Sequence, residues 1–355
     1  MKKLVIVQTS APDYRKKLYL FIAKQLKQDF KLYSGNHYFE DSVKTDFSID
    51  FIHEVKNNFF FKNKFLFQTG NHWSEVLKNN ILVLEMNPRI LSNWIILLIR
   101  KVLNKKTVLW GHAWPRSGKG SKSDKLRHLM RLLGSQIIVY TKTQQKELSG
   151  LMKNKPIVPA VNAVYYKKEM QFEVGGAIKN IIYVGRLTKQ KKPLFLLKGF
   201  HEVMDVLPKK CKLLFVGEGE EMEHLSKYIA SHNLQEKVEL LGHINDYNVL
   251  KSLYDTSILS ASPGYVGLSI TQSFSFGVPM LVSRTENHSP EIEAVIENEN
   301  SIFFETDNST DFGKQLMQFY KNEAFWISQR EKICVYCKNN YSIESMGKTF
   351  IDLIK

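Results

Sequence analysis

The sequence predicts an α/β protein of two domains, each a doubly wound parallel sheet, and three observations carry that prediction. The chain has 355 residues, long for one hydrophobic core and suited to two. Short apolar runs repeatedly end in a glycine or polar loop and then give way to helical periodicity, the signature of βα units. Between residues 160 and 178 that periodicity lapses around Gly175-Gly176, which places a linker. Apolar residues make up 43% of the chain and aromatics 12%, enough to fill two cores.

In the first half, Leu4 to Val7 reads as a buried strand, followed by a loop from Gln8 to Asp13 and a helix from about Tyr14 to Gln28. In an open α/β sheet such a loop lies on the ligand-facing edge. Weaker strands are expected at Phe30 to Tyr33, Ser48 to Ile52 and Ile81 to Leu84. The segment Ile90 to Lys106 is apolar around most of a helix and basic at its end, yet far too short to span a bilayer. It fits two readings: a core helix, or an interfacial helix with Trp94 among headgroups and Arg100, Lys101, Lys105 and Lys106 facing anionic lipid. Thr107 to Trp110 is a strand leading into Gly111-His112-Ala113-Trp114. The loop Pro115 to Lys125 is rich in Gly, Ser and Lys, but its spacing is not that of a Walker phosphate loop. Arg116, Lys119 and Lys122 are candidates for a mobile basic lid or a membrane-facing loop. A helix to Leu133, a strand at Gln136 to Tyr140, a helix from Thr143 to Leu151 and a strand at Ile157-Val158 close this domain.

The second half restarts with a strand at Asn180 to Val184, then Gly185-Arg186-Leu187 and the lysines 189, 191 and 192 ahead of Pro193 and a helix. Glycine for close backbone approach, arginine for bidentate contact and lysine as a point charge form a phosphate arrangement. Strands at Lys212 to Val216 and Val238 to Leu241 follow, ending in Gly217-Glu218-Gly219 and Gly242-His243. Ser257 to Glu293 is the most informative stretch: a strand, a Pro-Gly loop, and a helix opening at Gly267-Leu268-Ser269. Unpaired N–H groups at a helix start favour an anion there, and Gly264 and Gly267 would let a ligand approach the backbone. Ser269 and Gln272 match an S-x-x-Q capping box. Met280 to Ser283 is a further strand, and Pro290-Glu291 starts a helix through Ile292 and Val295.

Charge is unevenly divided. Residues 1 to 165 hold 28 Lys+Arg against 11 Asp+Glu, a balance of +17, while residues 166 to 355 hold 22 against 24. A field of one sign on one domain points to an anionic partner: a membrane surface, a phosphorylated acceptor or nucleic acid. No recognition motif or stacking platform accompanies the charge, so nucleic acid is set aside. Three cysteines suit a reducing compartment, and Cys334-x-x-Cys337 has no second pair, so neither metal nor redox use is expected. The N-terminal residues lack the long apolar core of a signal peptide, so the chain is expected to stay in the cytoplasm.

The order YVGRLTKQKKPLFLLKGF, LLFVGEGEEMEHL, VELLGHINDYNVLKSLYDTSILSASPGYVGLSITQSFSFGVPML and PEIEAV resembles the nucleotide-sugar domain of the family-4 glycosyltransferases of the GT-B fold. The first half is similar to a subgroup acting in bacterial surface polysaccharide (capsule or O-antigen) assembly, through Pro12-x-Tyr14-Arg15, Asn87-Pro88-Arg89, Trp110-Gly111-His112 and Asn162. The resemblance implies two Rossmann-like domains facing across a cleft: 1–165 on the acceptor side, 166–339 for the nucleotide sugar, and 340–355 as a helix returning to the first. It implies that Arg186 and Lys191 grip the donor diphosphate with N–H groups around Gly267, Leu268 and Ser269, and that Gly264 and Tyr265 lie on the same donor-binding loop. Gly217 lies on the same loop edge, and His243 and Ile244 would pack on the nucleotide base. His112 would lie near the donor sugar, and Tyr14, Arg15, Arg116 and Lys119 on the acceptor or membrane side. Two family glutamates, eight residues apart, are replaced by Gly264 and Gln272. Gln272 can accept from a ribose hydroxyl, and Glu291 is the next carboxylate expected at the cleft and the candidate catalytic acid group.

The expected activity is transfer of a hexose from a nucleotide diphosphate sugar to a lipid-linked or growing glycan, with retention, no metal and no cofactor, at the inner face of the plasma membrane. The alternative is a nucleotide-sugar-binding subunit that assists another transferase.

Overall fold

The computed structural model describes residues 2–39, 43–115, 117–173 and 179–355. It divides into two compact units, 1–164 with 343–355, and 165–342. The expected Gly175-Gly176 centre of the linker lies outside the described residues.

In the first unit the strands are β1 (Leu4–Gln8), β2 (Phe30–Ser34), β3 (Ile52–Glu54), β4 (Lys56–Phe60), β5 (Phe65–Thr69), β6 (Ile81–Glu85), β7 (Thr107–Trp110), β8 (Gln136–Val139) and β9 (Ile157–Pro159). The helices between them are α1 (Lys16–Leu26), α2 (Leu91–Val102), α3 (Lys122–Leu133) and α4 (Lys142–Leu151). Seven strands form one parallel sheet in the order β3-β2-β1-β6-β7-β8-β9. The order reverses between β1 and β6, which pair directly from Leu4↔Ile81 to Val7↔Leu84. Both strands are fully apolar over these positions because helices cover both faces of the sheet. The chain steps in one direction from β6 to β9, and right-handed crossovers then set α2, α3 and α4 side by side on one face. Ile96, Leu97, Met130 and Leu148 accordingly share one core cluster with Leu84, Leu109 and Val139.

In the second unit the strands are β10 (Asn180–Val184), β11 (Leu213–Val216), β12 (Val238–Leu240), β13 (Ser257–Ser262), β14 (Met280–Ser283) and β15 (Ser301–Phe304). Its helices are α5 (Pro193–Val203), α6 (Met222–Ser231), α7 (Tyr247–Asp255), α8 (Ser269–Ser275), α9 (Ser309–Lys321) and α10 (Glu323–Asn340). The parallel order is β12-β11-β10-β13-β14-β15, reversing between β10 and β13. The last helix, α11 (Ile343–Ile351), belongs to the first unit and packs on α1, where Gly347 faces the Phe21 ring and Phe350 meets Trp110 at 4.8 Å.

The doubly wound α/β fold is as the sequence predicts, with local differences. The expected strand at Ser48 to Ile52 begins only at Ile52, and the helix expected from Tyr14 opens with a 3-10 turn at Asp13–Arg15. The β4–β5 antiparallel hairpin carries no alternating pattern and turns through Phe61, Lys62 and Asn63 at positive φ, without glycine. Pro290 to Ala294 is a 3-10 turn rather than an α-helix, since Val295 is already extended and leads toward β15. The segment around α2 buries one face, as the core-helix reading has it, and exposes the other. Ile96, Leu97 and Arg100 are buried, while Leu98 and Val102 face outward. Arg100 does not face lipid: it donates to Thr107 Oγ1 and to the carbonyls of Val76, Asn80 and Lys106. Trp94 packs against the core and donates its indole N–H to the Pro88 carbonyl at 3.0 Å.

His72 is 1% exposed, lies beside Tyr33 and Trp73, and neither ring nitrogen meets a partner among the described residues. Burial disfavours the imidazolium and pushes its pKa down to about 4. A folded-state pKa below the unfolded value stabilises the fold above about pH 6.5, and that contribution is lost as pH falls toward 4. Replacing His72 with Phe should therefore flatten the pH dependence of stability in that window, by about 3 kcal/mol between pH 7 and pH 4. Denaturant unfolding at several pH values measures it.

Candidate functional site

Ligands of open parallel sheets bind outside the carboxyl ends of the strands where the order reverses, and in the second unit that reversal falls between β10 and β13. The loop after β10 carries Arg186 and the 3-10 turn Lys189–Lys191, and the loop after β13 carries Gly264 to Leu268. The two are in backbone contact. A Cβ on Gly264 would collide with the Gln190 carbonyl and with Lys191, so Gly264 is filled by protein rather than left open to a ligand, as the sequence reading has it. The family glutamate cannot be placed at 264 in this backbone.

That contact positions the cations. Lys191 Nζ donates to the Tyr265 carbonyl at 2.8 Å and sits 3.7 Å from the centre of the Tyr265 ring. Burial, with the neighbouring Arg186, pulls the Lys191 pKa down to about 8, and Glu291 opposes the shift. Arg186 Nη2 lies 3.4 Å from the Tyr265 hydroxyl, and its carbonyl accepts from Tyr183 at 2.8 Å. Lys192 is occupied elsewhere: it is left-handed at φ 53° and pairs with Glu286 and Asp307 at 2.6 and 2.5 Å.

On the other side of the loop, the Glu291 carboxylate lies 4.0 Å from where a Gly267 Cβ would stand, with Ser289 Oγ at 3.2 Å. Glu291 is 7% exposed. Arg186, Lys191, Tyr265, Gly267 and Glu291 are thus brought together, and Glu291 arrives on a 3-10 turn and owes nothing to an α-helix dipole. Sequence reasoning missed His288. Its Nδ1 accepts from the Val266 N–H at 3.1 Å and its Nε2 donates to the Ser283 carbonyl at 2.8 Å, which requires a neutral ring. Burial lowers its pKa accordingly. Ser289 N–H bonds the Val266 carbonyl at 2.9 Å, so the turn before Glu291 fastens the loop to β14.

The capping box does not form. Leu268 is the N-cap of α8, Ser269 is its first residue, and no side chain caps the helix. Gln272 donates its amide to the Tyr165 hydroxyl at 3.1 Å, which leaves its amide oxygen as the acceptor. Gly217 bonds its N–H to the Gly242 carbonyl at 2.7 Å, and its missing Cβ is filled by the Gly185 carbonyl. The loops after β10, β11 and β12 therefore pack in sequence along the edge, with His243 exposed and Ile244 half-buried beyond them.

The first unit gathers a second group at its own reversal. Arg15 stacks on Trp110 at 4.4 Å from the ring centre and donates to Tyr140 and Gln8 at 2.8 and 3.2 Å. The His112 ring lies 4.6 Å from Tyr140, and the neighbouring Tyr14 is 39% exposed. Glu85, at the end of β6, accepts from the Thr9 N–H, and burial raises its pKa against that bond and Arg15. Glu85 too was missed, although a lone acid closing the apolar run ILVLE was visible. Lys119 lies instead over the Trp114 ring, 5.0 Å from its centre. Arg116 lies outside the described residues. Cys334 and Cys337 are buried on α10, with Cys337 pushed up to about 12 by burial. No cluster of metal-ligating side chains occurs among the described residues.

Residues 167–340 match the family described as Glycosyl transferases group 1. An uncharacterized glycosyltransferase of Methanocaldococcus jannaschii is 31% identical over 159 residues, 41% of this chain and 38% of its own. The N-acetyl-alpha-D-glucosaminyl L-malate synthase of Bacillus anthracis is 22% identical over 175 residues, 48% of this chain and 44% of its own. The chain thus spans about two fifths of the length of the curated relatives that it matches. Over the whole chain the fold is similar to that of Anabaena HepE in complex with UDP, at TM-score 0.72 and 12% identity, covering 100% of this chain and 99% of that one. It is also similar to the lipopolysaccharide outer core galactosyltransferase WaaB, at TM-score 0.69 and 14% identity, covering 99% of each. These likenesses establish two Rossmann-like domains of the GT-B type.

Gly264→Glu should not restore a family carboxylate. The side chain would displace the Lys189–Lys191 turn, so thermal unfolding should reveal a loss on the order of 2–3 kcal/mol. Unchanged stability would mean that the loop yields.

Proposed function

We propose, on the premise that the second unit is a glycosyltransferase group 1 domain in a GT-B fold, that the protein transfers a hexose from a nucleotide diphosphate sugar to a hydroxyl of a lipid-linked or growing glycan. The observation that carries the reading is the pair Arg186 and Lys191, held against Tyr265 at the β10/β13 crevice. Bond cleavage at the anomeric carbon leaves negative charge on the diphosphate. Lys191, half-buried, and Arg186, exposed beside it, are preorganised cations that stabilise that charge more than the ground state's. Lys191 gains most, because burial has cost it part of its charge and a diphosphate restores it.

The remaining residues take consistent roles. Gln272 offers its amide oxygen to a ribose hydroxyl, while His243 and Ile244 border the base. Glu291, beside Gly267, stands on the sugar side of the loop in place of a carboxylate at 264. In the first unit, His112 and Glu85 lie at the carboxyl edge of the sheet, where a hydroxyl acceptor is to be held. Retention, independence of metal, and a place in surface polysaccharide assembly at the membrane belong to the same proposal. HepE holds UDP, which makes a uridine nucleotide the first probe.

Arg186→Ala should weaken UDP-sugar binding or turnover by one to two orders of magnitude, the size of a lost charge-assisted hydrogen bond. Unaltered release of nucleoside diphosphate would sink the assignment. Nucleotide binding without transfer to any glycan or lipid acceptor would favour the non-catalytic subunit instead, a reading that the missing glutamate at 264 keeps in play.

Lys191 gives a second check. An anionic ligand binds its protonated form, so nucleotide affinity should hold up to about pH 7 and fall above about pH 8, by up to tenfold per unit. Lys191→Arg should remove that inflection, as titration calorimetry across the pH range would show.

A further inference from the structure

The outer face of the helix layer on the first unit carries an apolar surface that the donor chemistry does not use. On α2, Leu91, Ile95, Leu98 and Val102 recur at helical spacing and all point outward, Val102 at 85% and Leu98 at 52% exposed. On α3, Leu126, Leu129 and Leu132 do the same, Leu129 at 54%. The two helices pack against each other on one face of the sheet, so the rows lie side by side. A large exposed apolar patch on a domain is the mark of an interaction surface.

The charge around the rows selects the occupant. Lys101 on α2 and Lys122 and Lys125 on α3 are exposed. The acid on these two helices is Asp124, which is buried and paired with Arg131 at 2.7 Å. The helix pair therefore presents leucines and lysines with no exposed carboxylate. A second copy meeting this face through a two-fold axis would bring lysines against lysines. A surface that accepts apolar side chains and attracts cations is an anionic lipid bilayer. No helix among the described residues is long and apolar enough to cross one.

We propose that α2 and α3 form a membrane-docking face, with the two leucine-rich rows inserted at the boundary between headgroups and acyl chains and the lysines against anionic headgroups. This rests on the peripheral-membrane part of the reading above and is independent of the transfer chemistry. It also reassigns the contact: Trp94 and Arg100 face inward, and the outward rows do the work expected of them.

Sedimentation with vesicles of phosphatidylcholine containing about 30 mol% phosphatidylglycerol, against phosphatidylcholine alone, tests it. The wild-type chain should bind the anionic vesicles and bind less at about 0.5 M salt. The Leu98→Glu/Leu129→Glu variant should lose at least about tenfold in binding with unchanged thermal unfolding, since both positions are already in water. Lys101→Glu/Lys125→Glu should lower binding to anionic vesicles toward the neutral-lipid level. A tryptophan at Leu98 should show blue-shifted emission on vesicles. Absence of wild-type binding, or equal binding by the leucine variant, overturns the proposal. So does light scattering that shows a wild-type dimer which the leucine variant breaks, with no lipid binding. UDP affinity, measured on the same samples, is scored separately: its absence refutes the donor site and leaves the docking result standing.

Discussion

The backbone contact between Gly264 and the turn Lys189–Lys191 sets the donor crevice. Because no side chain separates the two loops, Lys191 reaches the Tyr265 carbonyl and ring, and Arg186 reaches the Tyr265 hydroxyl. An ammonium moved into a half-dry crevice loses hydration, and a carbonyl with an aromatic face replaces only part of it. The shortfall appears as the lowered pKa of Lys191. A site that leaves a cation under-solvated is prepared for an anion, and the same geometry excludes a glutamate from position 264. The absence of that carboxylate is thus tied to how the cations are held. His288, kept neutral by its two bonds, fixes the far side of the loop and brings Glu291 to Gly267.

The first unit uses the same topological device with different chemistry. At its reversal, Arg15 lies on the Trp110 face and is bonded to Tyr140 and Gln8. Its guanidinium is held by ring and hydroxyl, while Glu85, opposite Trp110 in the β6–β7 register at the same carboxyl edge, accepts from the Thr9 amide. Burial raises the pKa of Glu85 above the usual carboxylate range, while the Thr9 amide and Arg15 oppose the shift.

What the sequence made legible follows from how local each signal is. Buried parallel strands such as Leu4–Gln8 and Asn180–Val184 announce themselves as unbroken apolar runs, and the glycine loops after them mark the ligand edge. The β4–β5 hairpin was hidden because Asn57 and Asn58 break its pattern and its turn uses Phe61, Lys62 and Asn63. Pro290 with two following acids reads as a helix start, but the extended backbone at Val295 stops it. Gly264 was read as an opening for a ligand because its partner, the 189–191 turn, is distant in sequence and nothing local reports the contact. Likewise Ser269 and Gln272 have capping-box spacing, yet Tyr165 claims the glutamine. Arg100 looked like a lipid-facing cation, and its carbonyl cage on the edge of β7 shows itself only once α2 is packed.

The division of charge acquires a physical sense from these placements. In the second unit several cations are paired with acids on other elements: Lys192 with Glu286 and Asp307, Lys251 with Glu173, and Arg284 with Glu297 and Glu305. Its net charge is near zero while Arg186 and Lys191 keep positive charge at the crevice, so attraction there is local rather than spread over the unit. In the first unit Asp124 is buried against Arg131 and Glu75 against Lys31 and Lys78, and α2 and α3 carry exposed lysines with no exposed acid of their own. A uniform basic surface attracts at long range but fixes no orientation, whereas two apolar rows admit only one face to a bilayer. Charge would bring this unit to an anionic surface, and the leucines of α2 and α3 would decide which way it lies.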